Sequence, residues 1–182
     1  MMTKITLSPI SPPDMAEYVA LYEQSFPKSE RKDMDFMTQG VCADAYDLWV
    51  VSTPDARVAG MVITVKHGDA VLLDYLAISP HLRGQGLGHE VLPLLREIYK
   101  SACLFLEIES PTEDAPNLKE RLRRKAFYAS AGLVPCGVKA YIYGTDMELW
   151  AYPESAERVS FEEYEDLIKA CFPNDMRPVR LA

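Results

Sequence analysis

The chain lacks a long apolar run, a cysteine pair and an excess of positive charge, and each absence removes a class of function. No stretch approaches the ~20 apolar residues that a bilayer-spanning helix needs. The start, Met1 to Leu7, alternates like a strand and has no signal-peptide core. A cytoplasmic protein without a membrane partner is expected. Cys42, Cys103, Cys136 and Cys171 lie far apart with no C-x-x-C spacing, which points to reduced thiols. The histidines His67, His81 and His89 show no ligand spacing with each other or with the cysteines, so no metal is expected. With 27 acidic against 19 basic residues the formal charge is −8. Nucleic-acid binding requires a basic face to displace counterions, and this negative charge argues against it. The basic cluster Lys119, Arg121, Arg123, Arg124 and Lys125 reads as a solvated helix face. An acidic chain does suit a cationic acceptor.

What is present is the content of one soluble domain over residues 1–182, without repeats or low-complexity tracts. The most telling segment is Arg83-Gly84-Gln85-Gly86-Leu87-Gly88. An apolar strand precedes it, Val71 to Ile78, closed by Ser79-Pro80. Helical spacing follows it from Leu87 to Tyr99, with Leu87, Val91, Leu94, Leu95 and Ile98 assigned to one face. The first N–H groups of a helix have no internal partner and sit at the positive end of its dipole. Glycines there let backbone approach a phosphate closely.

A P-loop requires Gly-Lys-Ser/Thr, whereas His89-Glu90 follows the last glycine here. The dinucleotide pattern G-x-G-x-x-G places His89 or Val91 where the third glycine belongs. Glu107 and Glu109 do lie at about the acidic offset of that pattern, so it stays as a weaker reading.

Arg-x-x-Gly-x-Gly after a strand resembles the acyl-CoA loop of the GNAT N-acetyltransferase superfamily. Two further blocks follow in that family's order. Leu104-Phe105-Leu106-Glu107-Ile108-Glu109 resembles its next strand, and Ala126-Phe127-Tyr128 through Gly132-Leu133 resembles its helix with a Phe-Tyr pair. The resemblance covers about residues 46–150. It implies an α/β (α+β) fold: a mixed, mostly antiparallel sheet with helices on both faces, split between the strands at about 70–78 and 103–109. Residues 1–45 would be acceptor-side helices and residues 151–182 a C-terminal helix and tail.

The same resemblance implies acetyl-CoA as co-substrate and a primary amine of a small molecule or peptide as acceptor. A homodimer is an open option. Arg83, Gly84, Gln85, Gly86, Leu87, Gly88 and His89 would hold the pyrophosphate, and the backbone of Leu76, Ala77 and Ile78 the pantetheine arm. Tyr128 matches the family's proton donor to the CoA sulfur. Glu107 and Glu109 alternate onto one strand face and are the candidates for general base. Many family members carry asparagine seven residues before the tyrosine; here Arg121 stands there, with Asn117 one turn back. That departure and the helix-kinking Pro93 keep an alternative open, a non-catalytic acyl-CoA-binding or interaction protein of the same fold. Tyr22, Glu23, Phe26, Glu30 and Tyr141 are candidate acceptor lining.

The remaining expectations concern local structure. Thr3–Ser8 reads as a strand, and Pro12-Pro13-Asp14 opens a helix that Pro27 ends. A second helix is expected from the charged segment Ser29–Asp35 to Gly40. Residues 46–53 and 58–66 read as a hairpin. Leu118, Leu122, Ala126 and Ala129 are expected to face inward on a helix capped by Gly132. Leu133–Val138 and Tyr141–Tyr152 read as the last hairpin, and Ser160 with Glu163 as the capping box of a helix ending before Pro173.

Overall fold

Burial on both faces marks the central strands of the first half of the chain. In β2 (Tyr46–Thr53) Tyr46, Leu48, Val50 and Val51 are buried, and in β3 (Ala56–His67) Val58 through Val65 are buried without interruption. The computed structural model describes residues 4–172 and 178–181. The chain divides into two compact units, Met1–Val65 with Leu73–Ile98, and Lys66–Leu72 with Tyr99–Ala182. The fold is mixed α/β with mostly antiparallel pairing and helices against the strands.

In the first unit the strand order is β1 (Thr6–Pro9), β2, β3 and β4 (Ala70–Ile78), with β1 and β3 antiparallel to β2. Thr3, expected in the first strand, lies outside the described residues. Gly60 sets the closeness of β3 to the end of β4. A Cβ there would stand 2.8 Å from the Ala77 carbonyl oxygen and from Ile78 Cδ1. The Ser79 N–H donates to the Ala59 carbonyl at 2.9 Å, which fixes where β4 stops and the glycine loop starts.

A single 3-10 turn, Pro12–Asp14, leads into α1 (Met15–Ser25). Tyr18, Leu21 and Tyr22 form its buried stripe, and the Tyr18 hydroxyl donates to the Val62 carbonyl of β3 at 2.9 Å. The second helix starts later than the charged segment suggests. Lys28–Glu30 is an isolated 3-10 turn, residues 31–33 are extended or coil, and α2 runs Met34–Cys42. Asp33 decides this start, its carboxylate accepting from the Phe36 N–H at 3.1 Å as an N-cap. Gly40 sits inside α2 because a Cβ there would overlap the Tyr46 ring.

After the loop, α3 (Leu87–Ile98) contains Pro93 and buries Leu87, Val91, Leu92 and Leu95. Leu94 and Ile98, assigned inward from spacing, are exposed instead. Leucines occupy two overlapping stripes of this helix, and spacing alone does not choose between them.

In the second unit the order is β5 (Cys103–Glu109), β7 (Thr145–Ala151), β6 (Val134–Ile142) and β8 (Val179–Arg180), antiparallel throughout. The β6–β7 turn corrects the expected one. Tyr143 and Gly144 both have positive φ, +57° and +76°, the requirement of a two-residue hairpin turn. The break expected after Val138 is a bulge between Pro135 and Lys139, where Gly137 has φ +74°.

α4 (Leu118–Ser130) also turns a different face inward than expected. Arg121 is buried while Leu122 is 50% exposed, and Ala126 and Ala129 are exposed. The short α5 (Pro153–Ala156) follows β7 and opens on Pro153, a residue suited to the first turn of a helix. In α6 (Phe161–Cys171) the capping box is formed: Ser160 Oγ accepts from the Glu163 N–H, and Glu163 Oε2 accepts from the Ser160 N–H, each at 3.2 Å. Its buried stripe is Tyr164, Leu167, Ile168 and Cys171. Pro173, the expected stop, lies outside the described residues. No described helix is long and apolar enough to cross a membrane.

Candidate active site

The first unit carries the glycine loop expected from the sequence to hold a pyrophosphate. Between β4 and α3, Gly84 and Gly86 adopt φ +75° and +85°, a region that other residues enter at a cost. A Cβ at either would meet nothing within 4 Å, so neither glycine is there to relieve internal crowding. Their shared conformation curls the backbone over open space at the positive end of α3. None of the N–H groups of residues 84–88 bonds to a loop, turn or cap carbonyl among the described residues. The His89 N–H, by contrast, donates to the Gly86 carbonyl at 2.9 Å, which removes it from the donor set expected from the sequence. Arg83 Nε donates to the Ile78 carbonyl at 2.9 Å and so anchors an exposed guanidinium beside the cradle. Leu76 and Ile78 lie on the half-exposed face of β4, with the Ala77 side chain buried on the other.

The second unit carries the expected proton-transfer residues. Tyr128, on the last turn of α4, stacks edge-on against Phe127 at a centroid distance of 5.0 Å. Burial pushes its phenol up to about 12, opposed by the neighbouring Arg124. Its hydroxyl makes no hydrogen bond to another side chain or carbonyl among the described residues. The backbone beneath it is fixed. The Leu133 N–H donates to the Tyr128 carbonyl at 3.1 Å and the Gly132 N–H to the Ala129 carbonyl at 3.0 Å, with Gly132 at φ +87°. These are the paired bonds of a Schellman cap.

Glu107 and Glu109 share the half-exposed face of β5, as alternation predicts, but their surroundings differ. Glu107 accepts a hydrogen bond from the hydroxyl of Tyr164, which is fully buried on α6. Three donors converge on Glu109: Asn117 Nδ2 at 3.2 Å, a guanidinium nitrogen of Arg121 at 2.9 Å and one of Arg124 at 3.1 Å. Arg121 further donates to the Ser110 carbonyl at 2.8 Å and to Asn117 Oδ1 at 2.7 Å. Arg121 therefore clamps the β5–α4 connection, and this clamp turns its side of α4 inward. The remaining basic residues of α4 divide. Lys119, Arg123 and Arg124 are exposed, whereas Lys125 bonds Glu148 at 2.9 Å with its ammonium 5.5 Å from the Trp150 ring centre.

Of the candidate acceptor-lining residues, Tyr22, Phe26 and Glu30 come together in the first unit with a partner not singled out from the sequence. The Tyr22 and Phe26 rings pack on Tyr75 at 5.1 and 4.8 Å. The Tyr75 hydroxyl donates to the Glu30 carbonyl at 2.6 Å. The Tyr22 hydroxyl both accepts from the Lys32 N–H at 2.8 Å and donates to the Lys32 carbonyl at 3.2 Å. Lys32 Nζ contacts both oxygens of Asp74 at 2.9 and 2.6 Å and lies 4.9 Å from the Tyr75 ring centre. The two side chains are 7% and 5% exposed. Burial pushes the Asp74 carboxyl above its usual range, and the Lys32 ammonium pulls it back. Glu23 instead pairs at the surface with Arg31, and Tyr141 is exposed on β6. One signal of this pair was available: Asp74 is the lone charged residue in the apolar run Val71–Ile78.

The model of the acetyltransferase (GNAT) family matches residues 15–123. No curated protein matches the chain. A GNAT-family protein from Bacteroides thetaiotaomicron is similar in structure, with a TM-score of 0.70 and 21% identity over 91% of this chain and 94% of that one. A spermidine N-acetyltransferase from Vibrio cholerae, in complex with CoA and spermine, aligns with a TM-score of 0.64 and 13% identity over 84% and 97%. A GNAT-family protein from Desulfovibrio desulfuricans aligns at 0.63 and 18% over 81% and 97%. At these identities the structures speak to fold.

Proposed function

The chain belongs to the acetyltransferase (GNAT) family, and from that premise we propose that it transfers the acetyl group of acetyl-CoA to a primary amine by direct attack. The observation that carries the proposal is the Arg83–Gly88 cradle: two left-handed glycines, open space above them, and a helix N-terminus behind. A pyrophosphate fits such a cradle, because its oxygens accept from backbone N–H groups that have no internal partner. Arg83 adds a fixed cation. The backbone of Leu76, Ala77 and Ile78 takes the pantetheine amides, and an N–H there polarises the thioester carbonyl.

In this reading the acceptor ammonium first gives up a proton, directly or through water, to Glu107, whose carboxylate is oriented by Tyr164. Glu109 is committed to Arg121, Asn117 and Arg124 and serves structure instead. The amine nitrogen then attacks the thioester carbon. A C–N bond forms, the C–S bond breaks and the departing thiolate takes the Tyr128 proton, while the second proton of the attacking nitrogen passes through water to restore the Tyr128 phenol. A phenol raised to about 12 by burial is a weak acid. The same dry setting raises the proton demand of the leaving thiolate, which keeps the two matched.

Two observations support an amine of more than one positive charge as acceptor: the formal charge of −8 and the spermine held in the Vibrio cholerae structure. The test is thermal unfolding with acetyl-CoA, CoA, ATP and NAD at equal excess, followed by thiol release across an amine panel headed by polyamines. Saturation by a ligand at a hundred times its Kd adds about 2.7 kcal/mol. Stabilisation by the CoA species alone, with thiol release on adding an amine, is expected. Stronger stabilisation by ATP or NAD would sink the proposal.

A further inference from the structure

The buried Lys32–Asp74 pair is the feature of the first unit that the reaction scheme leaves unused. A buried ion pair contributes little net stability, because desolvating two charges cancels most of their attraction. An apolar pair would fill the same space at least as well. What the arrangement does provide is recognition. Both oxygens of one carboxylate and the face of one aromatic ring converge on a single primary ammonium.

The position of this cluster is specific. Asp74 stands two residues before Leu76 on the same half-exposed face of β4, and two strand residues span about 7 Å. If the thioester lies along Leu76–Ile78, a point that rests on the function proposed above, the carboxylate sits one short diamine away from the reacting carbon. Lys32 itself belongs to no helix or strand. Its backbone is held by the Tyr22 hydroxyl, so moving its ammonium off Asp74 calls for a new side-chain rotamer and no shift of that backbone.

We propose that Asp74 and Tyr75 form a binding site for a primary ammonium, that Lys32 occupies it in the resting protein, and that the non-reacting ammonium of a diamine acceptor takes the place of Lys32. The site therefore selects acceptors with a second ammonium a few methylenes from the first, and Lys32 acts as an internal competitor.

The test is equilibrium binding of putrescine and of γ-aminobutyrate to the CoA-loaded protein, wild type against Lys32→Met. Methionine keeps an unbranched stem and deletes the competitor. Putrescine should bind about tenfold more tightly to the variant, the size of one charge-assisted contact regained, and γ-aminobutyrate should not. The double variant Lys32→Met/Asp74→Asn, which leaves no buried charge unpaired, should lose the gain. CoA affinity of each variant reports whether it is folded. Unchanged putrescine binding in Lys32→Met with CoA affinity intact would overturn the proposal. So would weaker γ-aminobutyrate binding, which would make Lys32 a reader of carboxylates. Because binding is read without turnover, an absence of acetyl transfer to putrescine would count against the proposed activity and leave the ammonium site standing.

Discussion

Tyr128 and Arg121 lie two turns apart on one face of α4, and their substitutions separate chemistry from structure. Tyr128→Phe deletes a hydroxyl with no protein partner among the described residues, so the fold loses little. Turnover should fall by about 10²–10⁴, the usual worth of a positioned acid, while CoA affinity measured by calorimetry stays put. The pH dependence follows from the raised phenol. Because its pKa in the folded protein is about 12, Tyr128 stays protonated across neutral and mildly alkaline pH. An alkaline fall in kcat below about pH 10, its ordinary value, would then belong to another group. The stability sign is the same. The folded state keeps a proton that the unfolded phenol loses near pH 10, so this contribution is present below that pH and is lost as pH rises toward 12.

Arg121→Asn, the residue many family members carry, should lower stability by about 1–3 kcal/mol by removing one of the three donors to Glu109 and the side-chain donor to the Ser110 carbonyl. Thermal unfolding measures this directly, with CoA affinity as the control. The clamp also explains why α4 turns a different face inward than its apolar spacing predicts. Leu122, Ala126 and Ala129 look like a core stripe because they are apolar, and an arginine bound to Glu109, Ser110 and Asn117 outweighs them.

At the scale of elements, the parts legible in the sequence were those set by local chemistry: the β2–β3 hairpin, the β4–loop–α3 order, the Gly132 cap and the Ser160–Glu163 capping box. Parts set by contacts distant in sequence were not. Gly40 looks like a helix terminator, yet it continues α2 because the Tyr46 ring occupies the space of its Cβ. Gly40→Ala should raise helix propensity and still destabilise by about 1–3 kcal/mol through overpacking. A higher melting temperature for this variant would contradict the packing described. The β6–β7 turn was missed for a related reason. Tyr143 accepts a positive φ that its side chain disfavours, so the turn carries only half of its usual glycine-asparagine marking.

At the scale of the whole molecule, a charge of −8 makes association with a cationic acceptor dependent on ionic strength. The KM for a polyamine should rise as salt is increased from about 0.05 to 0.3 M, and the KM for a neutral hydrophobic amine should change less. The family assignment was readable because the glycine loop, the β5 block and the Phe-Tyr helix are contiguous motifs. The Lys32–Asp74 pair was not, since its members are 42 positions apart and only folding brings them together.

The tyrosine hydroxyls that hold the backbone of residues 30–32 give that segment an unusual mechanical character. It lacks helical or strand bonding at Lys32, yet its amide is a donor in a bond to the buried Tyr22. Its hydrogen–deuterium exchange should resemble that of a strand amide more than that of a loop. The side chain can then change partners while the loop's exchange record stays the same, so specificity for the acceptor would be altered without any lid motion for spectroscopy to see.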